Sequence, residues 1–381
     1  MKYKVKYTAS TQDYSGYGEA GRNAIKALVE ADVGVTVQKT VNVREKANFG
    51  QSYRQIQDLE GLNIDYKVKI IHITPDGYLK YLEPVKYHVG HLFWETSHLP
   101  RSWVWNVNLM DEVWTGDKYH AEVFRDSGIK VPIHIFPQSI DTKMTIPQPF
   151  VIENKPRFLF YSIFQWIERK NPEALVRAFY EEFNGHSDVG LLIKTYGLDF
   201  SDEQRRRISQ DIIKWKQLYA QSKPPPILLY DQLLSRDDVF RFHATGDCFV
   251  LPHRGEGWGI PQVEAILMEK PLISTAFGGM HDWINKRNYQ ALDRYTMEYV
   301  SNMDFVPWYT KEQKWANPNL DQLKEKMRWV YENHDKAKSN ALKAKQEVIK
   351  KFSYEAVGEI MRERIEQIYG NDLIPNPSRP S

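Results

Sequence analysis

The chain has 381 residues, with 51 Lys and Arg against 49 Asp and Glu and a single cysteine, Cys248. That length exceeds what one hydrophobic core usually supports, so two domains with a cleft between them are expected. The near balance of charge supplies no broad field for capturing nucleic acid or an anionic membrane, and one cysteine excludes an internal disulfide or a cysteine-rich zinc site.

The N-terminus, MKYKVKYTAS, lacks the apolar segment of a signal peptide, and no run approaches the ~20 residues that span a bilayer, so a cytoplasmic protein is expected. A strand at 4–7, a helix at 19–30 and a strand at 33–37 begin a βαβ pattern. Gly16, Gly18 and Gly21 form G-x-G-x-x-G before that helix, which by itself suggests dinucleotide binding. Against it, residues 11–15 separate the glycines from the strand, and the next strand, GVTVQKT, ends without the acidic residue that would hold an NAD ribose.

Further strands are expected at 68–73, 87–93, 112–114 and 132–136. His88 and His91 stand three apart on one of them and so point to opposite faces, which argues against a joint metal site. The polar, proline-bearing stretch 147–156 breaks the pattern and reads as a linker, giving domains 1–150 and 151–350.

The alternation then restarts: strand 158–162, helix 172–183, strands 190–194 and 227–230, helix 237–245, strand 248–251, helix 261–268 and strand 272–275. An α/β protein of two Rossmann-like, doubly wound domains follows. Residues 201–223, with Arg205, Arg206, Arg207, Lys214 and Lys216 among apolar residues at helical spacing, read as an amphipathic surface helix. Cys248, in the run DCFVL, reads as a buried thiol, residues 352–369 as a helix and 370–381 as a disordered tail.

The most informative segment is LPHRGEGWGIPQVEAI, residues 251–266. A strand runs into a glycine-rich turn and then a helix opened by Pro261, so backbone N–H groups at the positive helix end offer an anion site. Glu256 lies in the turn and Glu264 on the helix, with seven residues between them. The first is placed to meet the hydroxyls of a sugar, and the second to accept from the two ribose hydroxyls of a nucleotide.

This segment resembles the motif EGFGLPxxEA of the retaining, GT-B fold group 1 glycosyltransferases, the family 4-like enzymes, whose signature is two glutamates seven residues apart. The resemblance implies that Glu256 and the turn Gly257, Trp258, Gly259 and Ile260 hold the donor sugar, and that Glu264 holds the ribose. In SIFQWIERKNPEALVRAF, residues 162–179, it assigns Lys170 to the donor diphosphate. Phe164 and Gln165 stand where the family often has an arginine, so Arg169 or Arg254 is expected to substitute. The resemblance also makes Gly18 part of a loop closing over the donor and sends helix 352–369 back onto the first domain. FGGMHDW, residues 277–283, resembles the family's next loop near the donor, and HVGHLFWETSHLPRSW, residues 88–103, resembles the acceptor domain of one subgroup, with Leu92 in place of a tryptophan.

The implied activity is transfer, with retention, from a UDP- or GDP-sugar to a hydroxyl of a glycan, a lipid-linked or another acceptor. Nucleic acid is not the expected acceptor. No cofactor and no metal are expected, because the chain has no Asp-x-Asp and cationic side chains can answer the diphosphate charge. Three alternatives stay open on the same fold: a sugar-nucleotide epimerase, a phosphorylase and a non-catalytic glycan-binding module. Were the enzyme inverting, Glu95 and His91 would be the candidate bases.

Overall fold

The computed structural model describes residues 1–40, 51–221, 223–281, 283–284 and 288–370. The expected tail lies outside these residues except for Gly370, which ends the last helix. The chain divides into two compact units, Met1–Met144 with Ile349–Ser381, and Thr145–Val348.

In the first unit β1 (Lys4–Ala9), α1 (Gly16–Glu30), β2 (Gly34–Lys39), α2 (Gln51–Gln57), β3 (Val68–His72), β4 (Tyr87–His91), α3 (Arg101–Asn108), β5 (Glu112–Thr115), α4 (Lys118–Asp126) and β6 (Ile133–Ile135) follow in turn. The six strands form one parallel sheet in the order β2-β1-β3-β4-β5-β6, with Val5 opposite both Val35 and Val68. Every residue of β3 is buried, as expected of a central parallel strand covered on both faces. Its Lys69 is tolerated there because its ammonium reaches Glu83 at 2.7 Å, which Lys6 also reaches at 2.9 Å. His88 and His91 do part company: His88 Nε2 accepts from the Glu83 N–H, while His91 stacks on His72.

The second unit contains β7 (Phe158–Gln165), α5 (Pro172–Phe183), β8 (Val189–Tyr196), α6 (Asp202–Tyr219), β9 (Ile227–Tyr230), α7 (Arg236–Thr245), β10 (Cys248–Leu251), α8 (Ile260–Leu267), β11 (Leu272–Thr275) and β12 (Gln290–Leu292). Its parallel sheet has the order β12-β11-β10-β7-β8-β9. The antiparallel pair β13 (Tyr295–Tyr299) and β14 (Lys314–Pro318) comes next, then α9 (Leu320–Glu332) and α10 (His334–Phe352), within which the unit division falls. The last helix, α11 (Tyr354–Gly370), belongs to the first unit: Arg364 reaches the fully buried Glu112, and Gly358 lies so close to α1 that an added Cβ would sit 2.1 Å from the Ala27 carbonyl oxygen.

Two details differ from the sequence reading. The second unit opens at Thr145, so the proline-bearing stretch is part of it. The Phe150 N–H donates to Thr245 Oγ1 at 2.8 Å, the Phe150 ring lies parallel to Tyr230, and Lys155 donates to the Thr245 carbonyl. On α6 only Ile208 and Trp215 are buried, whereas Ile213 and Leu218 are exposed. Residues seven apart share a helix face at about 100° per residue, and Ile213 and Leu218 fall off that face while Ile212 is half-buried at its edge. Cys248 is buried, and burial pushes its thiol up, away from the reactive thiolate. Among the described residues no helix is long and apolar enough to cross a membrane.

Candidate active site

In the second sheet β8 and β9 extend from one side of β7, and β10, β11 and β12 extend from the other. The order therefore reverses between β7 and β10, and in open α/β sheets the crevice beyond the carboxyl ends at such a reversal is where ligands bind. The segment after β7 carries Arg169 and Lys170, and the segment after β10 carries Glu256. Topology alone brings these residues together.

Lys170 closes a short 3-10 turn, Glu168–Lys170, and its ammonium forms an ion pair with Glu256 Oε1. Arg169 Nη1 lies 3.6 Å from Glu256 Oε2 and donates to the Gly255 carbonyl at 2.9 Å. Burial pushes the Glu256 carboxyl up, but Lys170 and Arg169 outweigh it and hold the group at about 2. A buried carboxylate, held ionised at neutral pH, and two basic side chains thus share one spot.

The turn that follows is fixed by its glycines and its neighbours. Gly259 is the residue before α8 and has φ of 82°, a left-handed conformation that glycine adopts without cost. The Glu256 carbonyl accepts from the Gly279 N–H at 2.8 Å, which ties the 277–280 segment to the turn. Trp258 is buried beside Trp283, whose indole N–H donates to the Trp258 carbonyl at 3.3 Å, so this tryptophan shapes the turn by packing. His253 is fully buried and held down to about 3 chiefly by that burial, hence neutral, with Nε2 3.2 Å from Met280 Sδ.

Glu264, on α8, is 1% exposed with both oxygens engaged. Oε1 pairs with Arg236 at the start of α7, and Oε2 lies 3.3 Å from His243 Nε2. His243 Nδ1 is 3.0 Å from the Tyr161 hydroxyl. Burial lowers the His243 pKa, and one neutral tautomer satisfies both contacts: Nε2–H donates to Glu264 and Nδ1 accepts from Tyr161. Sequence reading missed Arg236 and His243, both on α7, and Tyr161 on β7. The only local signal is Ser235, which caps α7 by accepting from the Asp238 N–H and so fixes where Arg236 starts.

Of the two arginines expected to stand in for Phe164 and Gln165, Arg169 meets Glu256 and Arg254 does not. The Arg254 guanidinium is drawn to Glu168 at 3.0 Å and Asn317 at 2.8 Å, toward β14. The Arg254 backbone N–H donates to the Arg169 carbonyl at 2.7 Å. Phe164 stacks on Trp166, and Gln165 donates to the Gly197 carbonyl.

Gly18 belongs to the first unit. There the sheet order reverses between β1 and β3, and Gly16 and Gly18 begin α1 just beyond the carboxyl end of β1. Ser15 caps α1 through the Gly18 N–H, and an added Cβ at Gly18 would lie 2.1 Å from the Asp13 carbonyl oxygen, so only glycine fits. Among the described residues no group of three His, Cys, Asp or Glu side chains is arranged to hold a metal ion.

Residues 155–294, which include Arg169, Lys170 and both glutamates, match the family model described as glycosyl transferases group 1. The fold is that of GT-B glycosyltransferases, and the matched segment is similar to the group 1 family over about a third of the chain. Anabaena HepE, solved with UDP and glucose, aligns over 96% of this chain and 100% of its own at 11% identity and a TM-score of 0.69. Sucrose-phosphate synthase from Thermosynechococcus elongatus aligns over 97% and 100% at 12% identity and 0.66. The E. coli trehalose-6-phosphate protein bound with UDP-2-fluoro glucose aligns over 96% and 99% at 11% identity and 0.65. At such identities the likeness is one of fold. No curated protein sequence matches the chain.

Proposed function

We propose that the protein is a retaining glycosyltransferase that draws its sugar from a nucleoside diphosphate sugar, UDP-linked in the first instance, and passes it to an acceptor hydroxyl on a glycan or similar molecule. The observation that carries this reading is the Glu256, Lys170 and Arg169 cluster at the strand-order reversal, with Glu264 further along the same glycine-rich segment. UDP is preferred because it is the nucleotide bound in the structurally similar Anabaena HepE.

In this reading Glu264, oriented by Arg236 and His243, accepts from the ribose hydroxyls. Glu256 and the turn 257–260 meet the donor sugar. Lys170 and Arg169 lie beside the diphosphate. Breaking the sugar–phosphate bond builds negative charge on the departing oxygen, which fixed cations and the positive end of α8 stabilise without reorganising. The departing phosphate takes the acceptor proton on the face from which it leaves, so no protein nucleophile is needed. With two cations answering that charge, the reaction proceeds without a metal.

A panel of UDP-, GDP- and ADP-sugars tested by thermal shift checks this reading. A UDP-sugar at 100 times its Kd should stabilise the protein by about 2.7 kcal/mol, and the shift should be the same in EDTA. A panel in which no nucleotide sugar raises Tm, or a shift that disappears in EDTA, would refute it.

A further inference from the structure

A second recess of the Thr145–Val348 unit adjoins the Arg169–Lys170 segment, with Glu168 and Asn171 on either side of that pair among its walls. It encloses about 600 Å³ and is walled by the first turn of α5, Trp215 of α6, Arg254, Arg294 and the β13–β14 pair. Lys170, Glu256 and Glu264 are not among its walls. The match to the glycosyltransferase model ends at residue 294, and β13, which forms part of this wall, begins at Tyr295.

Its unused hydrogen-bonding capacity is on the donor side. Asn171, the residue before α5, makes no side-chain capping bond, so the first-turn N–H groups of Glu173 and Ala174 have no partner within the helix. Asn171 itself is 3% exposed, and its Nδ2 is buried with no hydrogen-bond partner. A buried amide donor left unpaired is costly, and Asn171 is one of the residues that line the recess. The two acids on the walls are already committed, Glu168 to Arg254 and Glu173 to the Tyr219 hydroxyl. The twelve-residue α5 directs its positive end here, and α9 starts at the same wall with Leu320.

We propose that this recess binds a phosphate monoester of a sugar, with the phosphate against the α5 N-terminus and the Asn171 amide. The volume lies within the roughly 300–1,000 Å³ of small-molecule sites and exceeds what one phosphate fills. Trp215, Thr296 and Asn317 supply an apolar edge and polar groups for the sugar ring and its hydroxyls.

Calorimetric titration of the full chain with glucose 6-phosphate, inorganic phosphate, glucose and UDP tests this. Glucose 6-phosphate should bind at least about tenfold more tightly than inorganic phosphate or glucose, and equally well in the presence of saturating UDP. Arg294→Glu changes an ion-paired but half-exposed side chain, so the fold should survive. It should weaken glucose 6-phosphate at least about tenfold and leave UDP unchanged, and Asn171→Asp should abolish the sugar phosphate's binding. The proposal fails if glucose 6-phosphate does not bind, if it binds no better than glucose or phosphate, if UDP displaces it, or if Arg294→Glu has no effect on it. A protein that binds glucose 6-phosphate but not UDP would keep this site and lose the donor reading.

Discussion

Lys170→Ala is expected to lower turnover by about 10²- to 10³-fold, the range seen when one preorganised donor is removed from a developing anion. The ammonium is most useful when charge on the diphosphate is largest, so kcat should fall more than KM rises. Removal also strands Glu256, which is 6% exposed and would keep only Arg169 at 3.6 Å. Breaking a buried ion pair from one side costs about 3–5 kcal/mol, so Tm should drop as well. Initial rates across donor concentrations, with a melting curve on the same sample, check both effects. A variant with normal kcat and only a raised KM would make Lys170 a ground-state anchor instead.

Glu264→Ala is expected to weaken UDP binding by roughly ten- to a hundredfold, because a hydrogen bond to a charged group contributes about 1.5–3 kcal/mol. Arg236→Ala leaves the carboxylate present but frees Oε1, so its loss should be smaller and Arg236→Lys should recover part of it. Calorimetry with UDP on the three variants reads this order directly. Equal UDP affinity in wild type and Glu264→Ala would remove Glu264 from the ribose.

Much of this was legible along the chain wherever the signal is contiguous. Ile227–Tyr230, Cys248–Leu251 and Leu272–Thr275 are short apolar runs bounded by polar or turn residues, and Pro172 marks the first turn of α5, so the expected and observed bounds coincide. The pair β13 and β14 carries no such signal: β13 is YTMEY, mostly exposed, with no buried face to impose alternation. The same division holds at the site. Glu256 and Glu264 sit within one motif, and Lys170 is placed by resemblance. Arg236 and His243 meet Glu264, and Tyr161 meets His243, only because β7, α7 and α8 are packed together in the fold, and no local spacing announces that. Arg254 illustrates the converse, since its place in the motif does not reveal that Glu168 and Asn317 hold its guanidinium.

The most direct test of a retaining transfer is proton NMR of the first sugar released from an α-linked UDP-sugar, with water or a hydroxyl compound as acceptor. For gluco- or galacto-configured donors the anomeric coupling separates the two outcomes before mutarotation mixes them. The account predicts an α-configured product from wild type and nearly none from Lys170→Ala. A β-configured product would contradict it and point to a base such as Glu95 or His91, and a UDP-sugar left intact with every acceptor would contradict the transfer itself.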